Sequence, residues 1–539
     1  MPVTASNATF TSPEFRTGKK ATWVTSTTGF LQKGATVADD HYLRTAINTL
    51  TMIHPRPASE YAAATTTTSI WTKWVTNAPY YAYPSAFGGC FPYKWTLSGQ
   101  PTGMEIEEDL DPTSFAMRSA HGRITWTTPT AGTHTFIIRC TDQEGTTVSR
   151  QVSLNVADSN AIWVDGTLGT DSVAAAGTKA APFAKIANWY GGAGGTGVAG
   201  DRADTTYANK IVIYRSGTYV VPEDETAAKI NMGSNKPCTH VAYYGETVEL
   251  DCANSAMRWA GSNGAGNIDR VEMLGLTFSD ENEADFTGTY QVFFTGCPAI
   301  FCDHTIKNFK NGGTTGSDNP GGIRMSDSGY TDYVQIRNVS ATGFGGGTNM
   351  GGNAGFIMLF GLRYYEINNV QCLSQDGVTF AGIHQKHDHQ YGVSRLCKIM
   401  GGNYGNQFVG CIAGLEEDHD GYNEWEYNLL QTTASNRPAI VLGIGAGTGT
   451  QGPNQAIRRN TLLVGTANLT SVGTANTIDL SANVIQNTAG GWTINASWTG
   501  LYTAQIADLA ATSGLVDSDG LLTGSNRTTY LGKKGWEIA

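Results

Sequence analysis

The chain repeats itself. "IKNF" (Ile306 to Phe309), "IRNV" (Ile336 to Val339) and "INNV" (Ile367 to Val370) recur at steps of 30 and 31 residues. "EYNLL" (Glu426 to Leu430), "RRNTLL" (Arg458 to Leu463) and "SANVI" (Ser481 to Ile485) carry the pattern on, with one degenerate turn at "LCKIM" (Leu396 to Met400). A fixed period in this range means a solenoid, in which each repeat buries its apolar side against its neighbours. One phase in the sequence then becomes one column in space. Asn308, Asn338, Asn369, Asn428, Asn460 and Asn483 are therefore expected to stack as a hydrogen-bonded ladder at a bend. The windows between repeats lack the helices of ten or more residues that an α/β barrel requires. The expectation is a parallel β-helix over residues 159–539.

Composition points the same way. The 66 glycines among 539 residues exceed the average usage of about 7% and follow no collagen triplet. They suit short strands joined by tight turns. A net charge of -11 argues against nucleic acid, which needs a basic face. No run of about 18 apolar residues is present, so no membrane insertion is expected. The N-terminus lacks the basic-then-apolar order of a signal peptide, and the nine cysteines lack CxxC spacing. Buried free thiols made in a reducing cytosol fit the cysteines, and a protein without such a signal that works outside a cell is expected to leave by lysis, by assembly into a particle or by a leaderless route.

Three regions differ in texture. Residues 1–78 read as an extended polar arm for docking on a partner, with one short amphipathic helix. The helix is marked by Leu43, Ala46, Ile47, Leu50 and Ile53, and Pro55 ends it. Residues 79–158 alternate with period two in "HTFIIRCTD" and "RQVSLNV", which predicts a small β-sandwich. Its Tyr93-Lys94-Trp95, Pro101-Thr102-Gly103-Met104, Gly122-Arg123-Ile124-Thr125-Trp126 and Thr141-Asp142-Gln143-Glu144-Gly145 resemble the strands and turns of immunoglobulin-like, cadherin-related modules. The stretch from Trp163 to Trp189, with Gly169, Asp171, Gly177-Thr178, Pro182-Phe183 and Ile186, resembles the opening of pectate-lyase-like right-handed parallel β-helix proteins. It departs at Ala184, where threonine is usual, and in an Ala-rich insert. A short helix from Pro182 is expected to plug the open end.

The fold class expected is thus mainly β: a right-handed parallel β-helix preceded by a small Ig-like β-sandwich and an N-terminal arm. The arrangement resembles bacteriophage virion proteins of tailspike type. That resemblance implies a virion-surface location and docking on other virion proteins through the arm. It also implies binding of host surface polysaccharide and a homotrimer as the assembly to test. A structural decoration protein of a phage head or tail, and a free polysaccharide lyase or glycoside hydrolase, are the alternatives. Only the free enzyme predicts full activity after deletion of residues 1–157.

The candidate site comes from two odd stretches, "GIHQKHDHQYG" (Gly382 to Gly392) and "GLEEDHDGYN" (Gly414 to Asn423). Alignment of "GIRMSDS", "GFIMLFG", "GIHQKHD", "GLEEDHD" and "AIVLGIG" on their first residues puts the third and fifth positions outward. His384 then sits one strand spacing, about 4.8 Å, from Glu416, and Lys386 the same from Asp418. His387 stacks on His419, and Asp388 on Asp420. Carboxylates in such a patch suit glycosidase chemistry, which needs a general acid and a second carboxylate. Lysine, histidine or arginine beside carboxylates suits proton abstraction by a lyase, for which calcium is the expected ion; otherwise no cofactor is expected. Glu416, Asp418, His384, Lys386 and Asp388 are the catalytic candidates. Tyr364, Tyr391, Tyr422, Trp425 and Arg395 are the glycan-binding candidates, since aromatic rings stack on sugar C–H faces. No metal motif appears, and a stabilising charge ladder remains the competing account of the patch.

Overall fold

A computed structural model describes two sets of residues. The first is 8–11, 20–25, 31–33, 42–43, 49–59, 69–107, 121–142, 144–170, 177–186, 209–220, 229–232, 239–252, 256–260, 270–279, 290–295 and 298–307. The second is 321–325, 331–342, 355–373, 381–386, 389–401, 412–415, 423–432, 440–444, 455–464, 467–471, 478–481, 483–487, 492–494, 509–511, 513–517 and 520–530. The fold is mainly β, with a parallel β-solenoid as its body. Each turn carries two strands separated by a bend, such as Val271–Leu274 and Leu276–Ser279, and a third on another face, such as Tyr290–Thr295. The first two kinds form one sheet of 19 strands and the third kind a stack of ten.

Alternation along each strand builds two layers of packing. Met273, Phe301, Ile336, Ile367, Trp425 and Ile457 point into the solenoid and share its core. Their neighbours on the outer side, Leu274, Ile300 and Cys302, belong to a second core together with Trp95, Trp126, Phe136 and Leu154. That second core joins the solenoid to a two-sheet module. One sheet holds Met104–Ile106, Ile124–Trp126 and Tyr80–Ala82; the other holds Lys73–Trp74, Thr147–Val156, Gly132–Thr141 and Lys94–Ser98. The module lies along the solenoid wall and is anchored strand after strand. Tyr81 Oη donates to Ala242 O at 3.2 Å, Ser69 Oγ to Glu272 at 2.5 Å and Tyr83 Oη to Asp303 at 2.7 Å. Arg337 donates to His121 O, Phe87 packs on Tyr364, Arg395 Nη2 donates to Ala86 O at 2.9 Å, and Tyr427 Oη to Phe91 O at 3.4 Å.

Seven successive bends share a signature. Gly275, Asp303, Asn338, Asn369, Leu396, Tyr427 and Arg459 have φ between 53° and 74° and occupy one column on successive strands. A left-handed residue at the same point of these seven turns sets the same corner each time. This column corrects the expected single asparagine ladder, because the structure holds two. Asn369 Nδ2 donates to Asn338 Oδ1 at 2.9 Å, and Asn338 Nδ2 to Asp303 Oδ1 at 2.7 Å, within the left-handed column. Asn428, Asn460 and Asn483 instead fall one residue after it and are buried, with Asn428 Nδ2 to Asn460 Oδ1 at 3.0 Å and Asn460 Nδ2 to Asn483 Oδ1 at 3.1 Å. The degenerate turn is the handover: Leu396 takes the corner, and Cys397 N donates to Asn428 Oδ1 at 2.9 Å. Asn308 lies outside the described residues.

The N-terminal region departs from expectation. Ala8–Thr11, Lys20–Thr25, Leu31–Lys33 and Tyr42–Leu43 form a four-stranded antiparallel sheet. The window read as a helix contains that last strand and Thr51–His54, which pairs antiparallel with Ser85–Phe87. Leu43 and Ile53 stand in strands, Leu50 and Ile53 are buried, and Ala46 and Ile47 lie outside the described residues. Residues 181–186 contain no helix either; Phe183 bridges to Val164 and Thr170 and is itself buried. The solenoid's far end packs Val484 with Leu515, Val516 and Leu522, before a helix at Gly524–Tyr530.

Candidate functional site

The proposed charged column does not form as aligned. His384 pairs with Ala413 and Lys386 with Leu415, so the two odd stretches are offset by three residues from the expected register. The strand partners of His384 and Lys386 are therefore Ala413 and Leu415, in place of the expected Glu416 and Asp418. The Gly-apolar starts misled the alignment: Ile383 pairs with Ile412, which sets Gln385 and not Gly382 opposite Gly414. His384 lies between Met358 and Ala413 and is buried. Glu416, Asp418, Asp388, Tyr422, His387, His419 and Asp420 lie outside the described residues, as does the side chain of Lys386.

Two of the glycan-binding candidates are also corrected. Trp425 points into the solenoid core, where its Nε1 donates to Gln385 Oε1 at 3.0 Å. Arg395 does point outward, but the two-sheet module covers it. Its guanidinium lies 4.5 Å from the Phe91 ring centre and 4.8 Å from that of Tyr93, with Glu426 at 3.5 Å. Around it the outer face carries Gln335, Arg337, Glu366, Asn368, Glu424 and Glu426, all buried. Arg458 bonds Glu424 and reaches Glu426 at 3.3 Å. Burial, and then the Glu424 charge, push the Glu426 carboxyl above its ordinary range, against the pull of Arg458 and Arg395. This carboxylate cluster is closed to a polymer.

Tyr364 and Tyr391 behave differently. With Tyr333 they form a column on three successive strands, set by the pairings Val334 to Tyr365 and Tyr365 to Gly392. Tyr333 and Tyr364 stack with centroids 5.2 Å apart at 16°, and Tyr364 and Tyr391 at 5.5 Å and 14°. Phe87 of the module flanks both, at 6.2 and 6.5 Å. All three tyrosines have φ of 56–60°. A left-handed conformation costs a residue other than glycine or asparagine roughly 1–2 kcal/mol. Three in a row are strain that the neighbouring packing must offset, and such strain concentrates at functional sites.

The column reaches the surface. Tyr391 is 39% exposed, while Tyr333 and Tyr364 are half-buried. Beside it Arg363 grips Asp332 with two bonds, 2.7 and 2.9 Å, one rung apart. The same column continues backwards through Pro298 to Arg270, because Val271 pairs with Ala299 and Ala299 with Val334. The Arg56 guanidinium lies 4.4 Å from the Tyr333 ring centre. His54 Nε2 donates to Tyr333 O at 3.1 Å, and burial holds that imidazole neutral with a pKa of about 3. Sequence reasoning missed Tyr333, Arg56 and Arg270. The signal was present as "DYV", "RYY" and "QYG" at Asp332, Arg363 and Gln390, a polar-Tyr pair at one phase.

Among the described residues no group of three or more His, Cys, Asp and Glu is arranged to hold a metal ion. No helix among them is long and apolar enough to cross a membrane. Comparison with known protein families and with curated proteins finds no match. Among solved structures, one from Bacteroides fragilis NCTC 9343, described as an alpha-galactosidase, aligns over 47% of this chain at 11% identity with a TM-score of 0.15. The chain covers 57% of that protein's length. A likeness this low carries no argument about fold or activity.

Proposed function

We propose that this protein binds bacterial surface polysaccharide along the tyrosine column of its solenoid wall. The observation that carries the reading is the stack of Tyr333, Tyr364 and Tyr391, strained into left-handed backbone and open at Tyr391. The stacked rings cover one another's faces, so a sugar ring meets the column at its exposed end, Tyr391. In this reading the solenoid is a right-handed β-helix, the two-sheet module is Ig-like, and the part of the N-terminal arm ahead of Leu50, which itself packs in the module core, docks on other virion proteins at the surface of a phage particle. Adhesion is favoured over cleavage because the carboxylates Glu366, Glu424 and Glu426 are sealed under the module.

The test is binding of labelled capsular polysaccharides and lipopolysaccharides from candidate hosts to the full chain. Tyr391→Ala should weaken binding at least tenfold with circular dichroism unchanged. Binding that is unaffected by Tyr391→Ala sinks the reading. Depolymerisation is assayed on the same panel with Glu416→Gln and Asp418→Asn. Chain cleavage that falls a hundredfold in either variant would restore the enzyme alternative.

A further inference from the structure

Three stacked rings have two ends, and here the ends differ. Inside the stack each tyrosine covers its neighbour's face, with centroids 5.2 and 5.5 Å apart. At the Tyr333 end the outer face is taken: the Arg56 guanidinium lies over it, 4.4 Å from the ring centre. Arg56 lines one depression with Pro298, the rung before Tyr333, which puts the cation on the outer side of the stack. At the other end Tyr391 is 39% exposed. Phe87 lies 6.2 Å from Tyr364 and 6.5 Å from Tyr391, so it stands beside the stack and not across its end.

What closes one end indicates what suits the other. The face of a tyrosine ring is the negative part of its quadrupole, so it attracts a cation held over it as well as the C–H face of a sugar. The neighbouring charges leave room for a cation. Leu362 and Tyr365 point into the core on either side of Arg363 and Tyr364, so a second outward column, Asp332, Arg363 and Gln390, runs beside the tyrosines. Arg363 and Asp332 neutralise each other at 2.7 Å, and Gln390 is uncharged, so that column sums to zero. The whole chain carries -11, a field that gathers cationic polymers and repels anionic ones. A hexosamine with a free amine answers both the face and the field, because one ring offers an apolar C–H side and an ammonium.

We propose that the open end of the stack at Tyr391 is a subsite for an amino sugar with a free amine, which makes the preferred ligand a cationic, hexosamine-containing polysaccharide. The sugar ammonium takes at Tyr391 the place that the Arg56 guanidinium takes at Tyr333. The inference rests on the tyrosine column being the glycan-binding surface, and it adds the class of sugar.

The experiment uses the full chain with paired probes: chitosan oligosaccharides beside the same oligosaccharides after N-acetylation, and each hexosamine-containing polysaccharide of the host panel before and after de-N-acetylation. N-acetylation removes the charge and leaves the linkages. Wild type should bind the free-amine form roughly three- to thirtyfold more tightly, the range open to a cation over an aromatic face. The overall charge of the chain alone would also favour that form, so the variants decide. Tyr391→Leu keeps an apolar side chain but has no π face, and Leu396 already holds the same φ of 56° in this solenoid. The preference should vanish in Tyr391→Leu and persist in Tyr391→Phe. Equal binding of both forms by wild type, or a preference that survives in Tyr391→Leu, overturns the subsite. If Tyr391→Leu does not fold, a salt series on wild type replaces it: long-range attraction is screened out by ~1 M salt, so a preference lost there overturns the subsite and one retained supports a contact. Binding that needs Tyr391 but ignores the amine removes the subsite alone; no binding of any form removes the glycan-binding surface as well.

Discussion

At the scale of single residues, this molecule spends buried polarity on its corners and seams. His304 is an instance. Its Nε2 donates to Met273 O at 3.0 Å and its Nδ1 accepts from Leu276 N at 3.2 Å, so the neutral imidazole bridges two strands of the preceding turn. Burial lowers its pKa from an ordinary 6.5 to about 4. The unfolded chain therefore binds a proton before the folded one does. The stability this group gives is complete above pH 6.5 and is lost as pH falls towards 4. The loss should reach about 3 kcal/mol at pH 4, and urea unfolding of His304→Gln beside wild type should show a shallower decline by that amount. Equal slopes would mean that the histidine is already charged when folded. Asparagine is legible in the sequence for a related reason. Its short amide tolerates the left-handed corner and also caps the next strand, so the repeat shows it in both places. The text cannot show which of the two jobs each asparagine does. That depends on a one-residue offset, with Asn338 at the corner and Asn428 beyond it.

At the scale of elements, the period of the chain was readable and the pairing of its odd stretches was not. Repeats of "Ile-x-Asn" mark the 19-strand sheet, where inward residues such as Ile336 and Ile367 pack in one core and the register follows. On the ten-strand stack glycine precedes apolar residues without pinning them. The difference between Gly322 aligned on Gly355 and the observed pairing of Gly321 with Gly355 is one residue. One residue is enough to exchange the inner and outer faces. Outward positions hold a second lesson. Arg395 and Glu426 alternate correctly away from the core, yet a second element covers them, and alternation is blind to that. The covered pair is also the place to test the seam. Arg395→Met removes the cation beside buried Glu426 and the bond to Ala86 O. It should cost about 3–5 kcal/mol in chemical denaturation, and adding Glu426→Leu should recover part of the loss. A cost below 1 kcal/mol would mean that water enters the seam.

At the scale of the whole molecule, the two-sheet module is a brace and not a spacer. Its core includes Trp163, Val241, Leu274, Ile300 and Cys302 of the solenoid. Deletion of residues 1–157 would uncover that apolar row together with the buried charges of Arg337, Glu366, Arg395 and Glu426. The chain that begins at residue 158 should aggregate on expression, whereas the full chain should melt in one transition seen alike by tryptophan fluorescence and circular dichroism. A soluble, monomeric solenoid made without the module would show that the two parts are independent. The anchors also have a mechanical consequence. They run from Ala242 to Tyr427 along the stacking axis, one on each strand. A pull along that axis loads them side by side in shear, so they must break together, whereas a sideways pull peels them in turn. A protein tethered by its N-terminal region and gripping a polymer through Tyr391 would carry tension through the whole seam at once, and would let go of its sugar before its own two halves part.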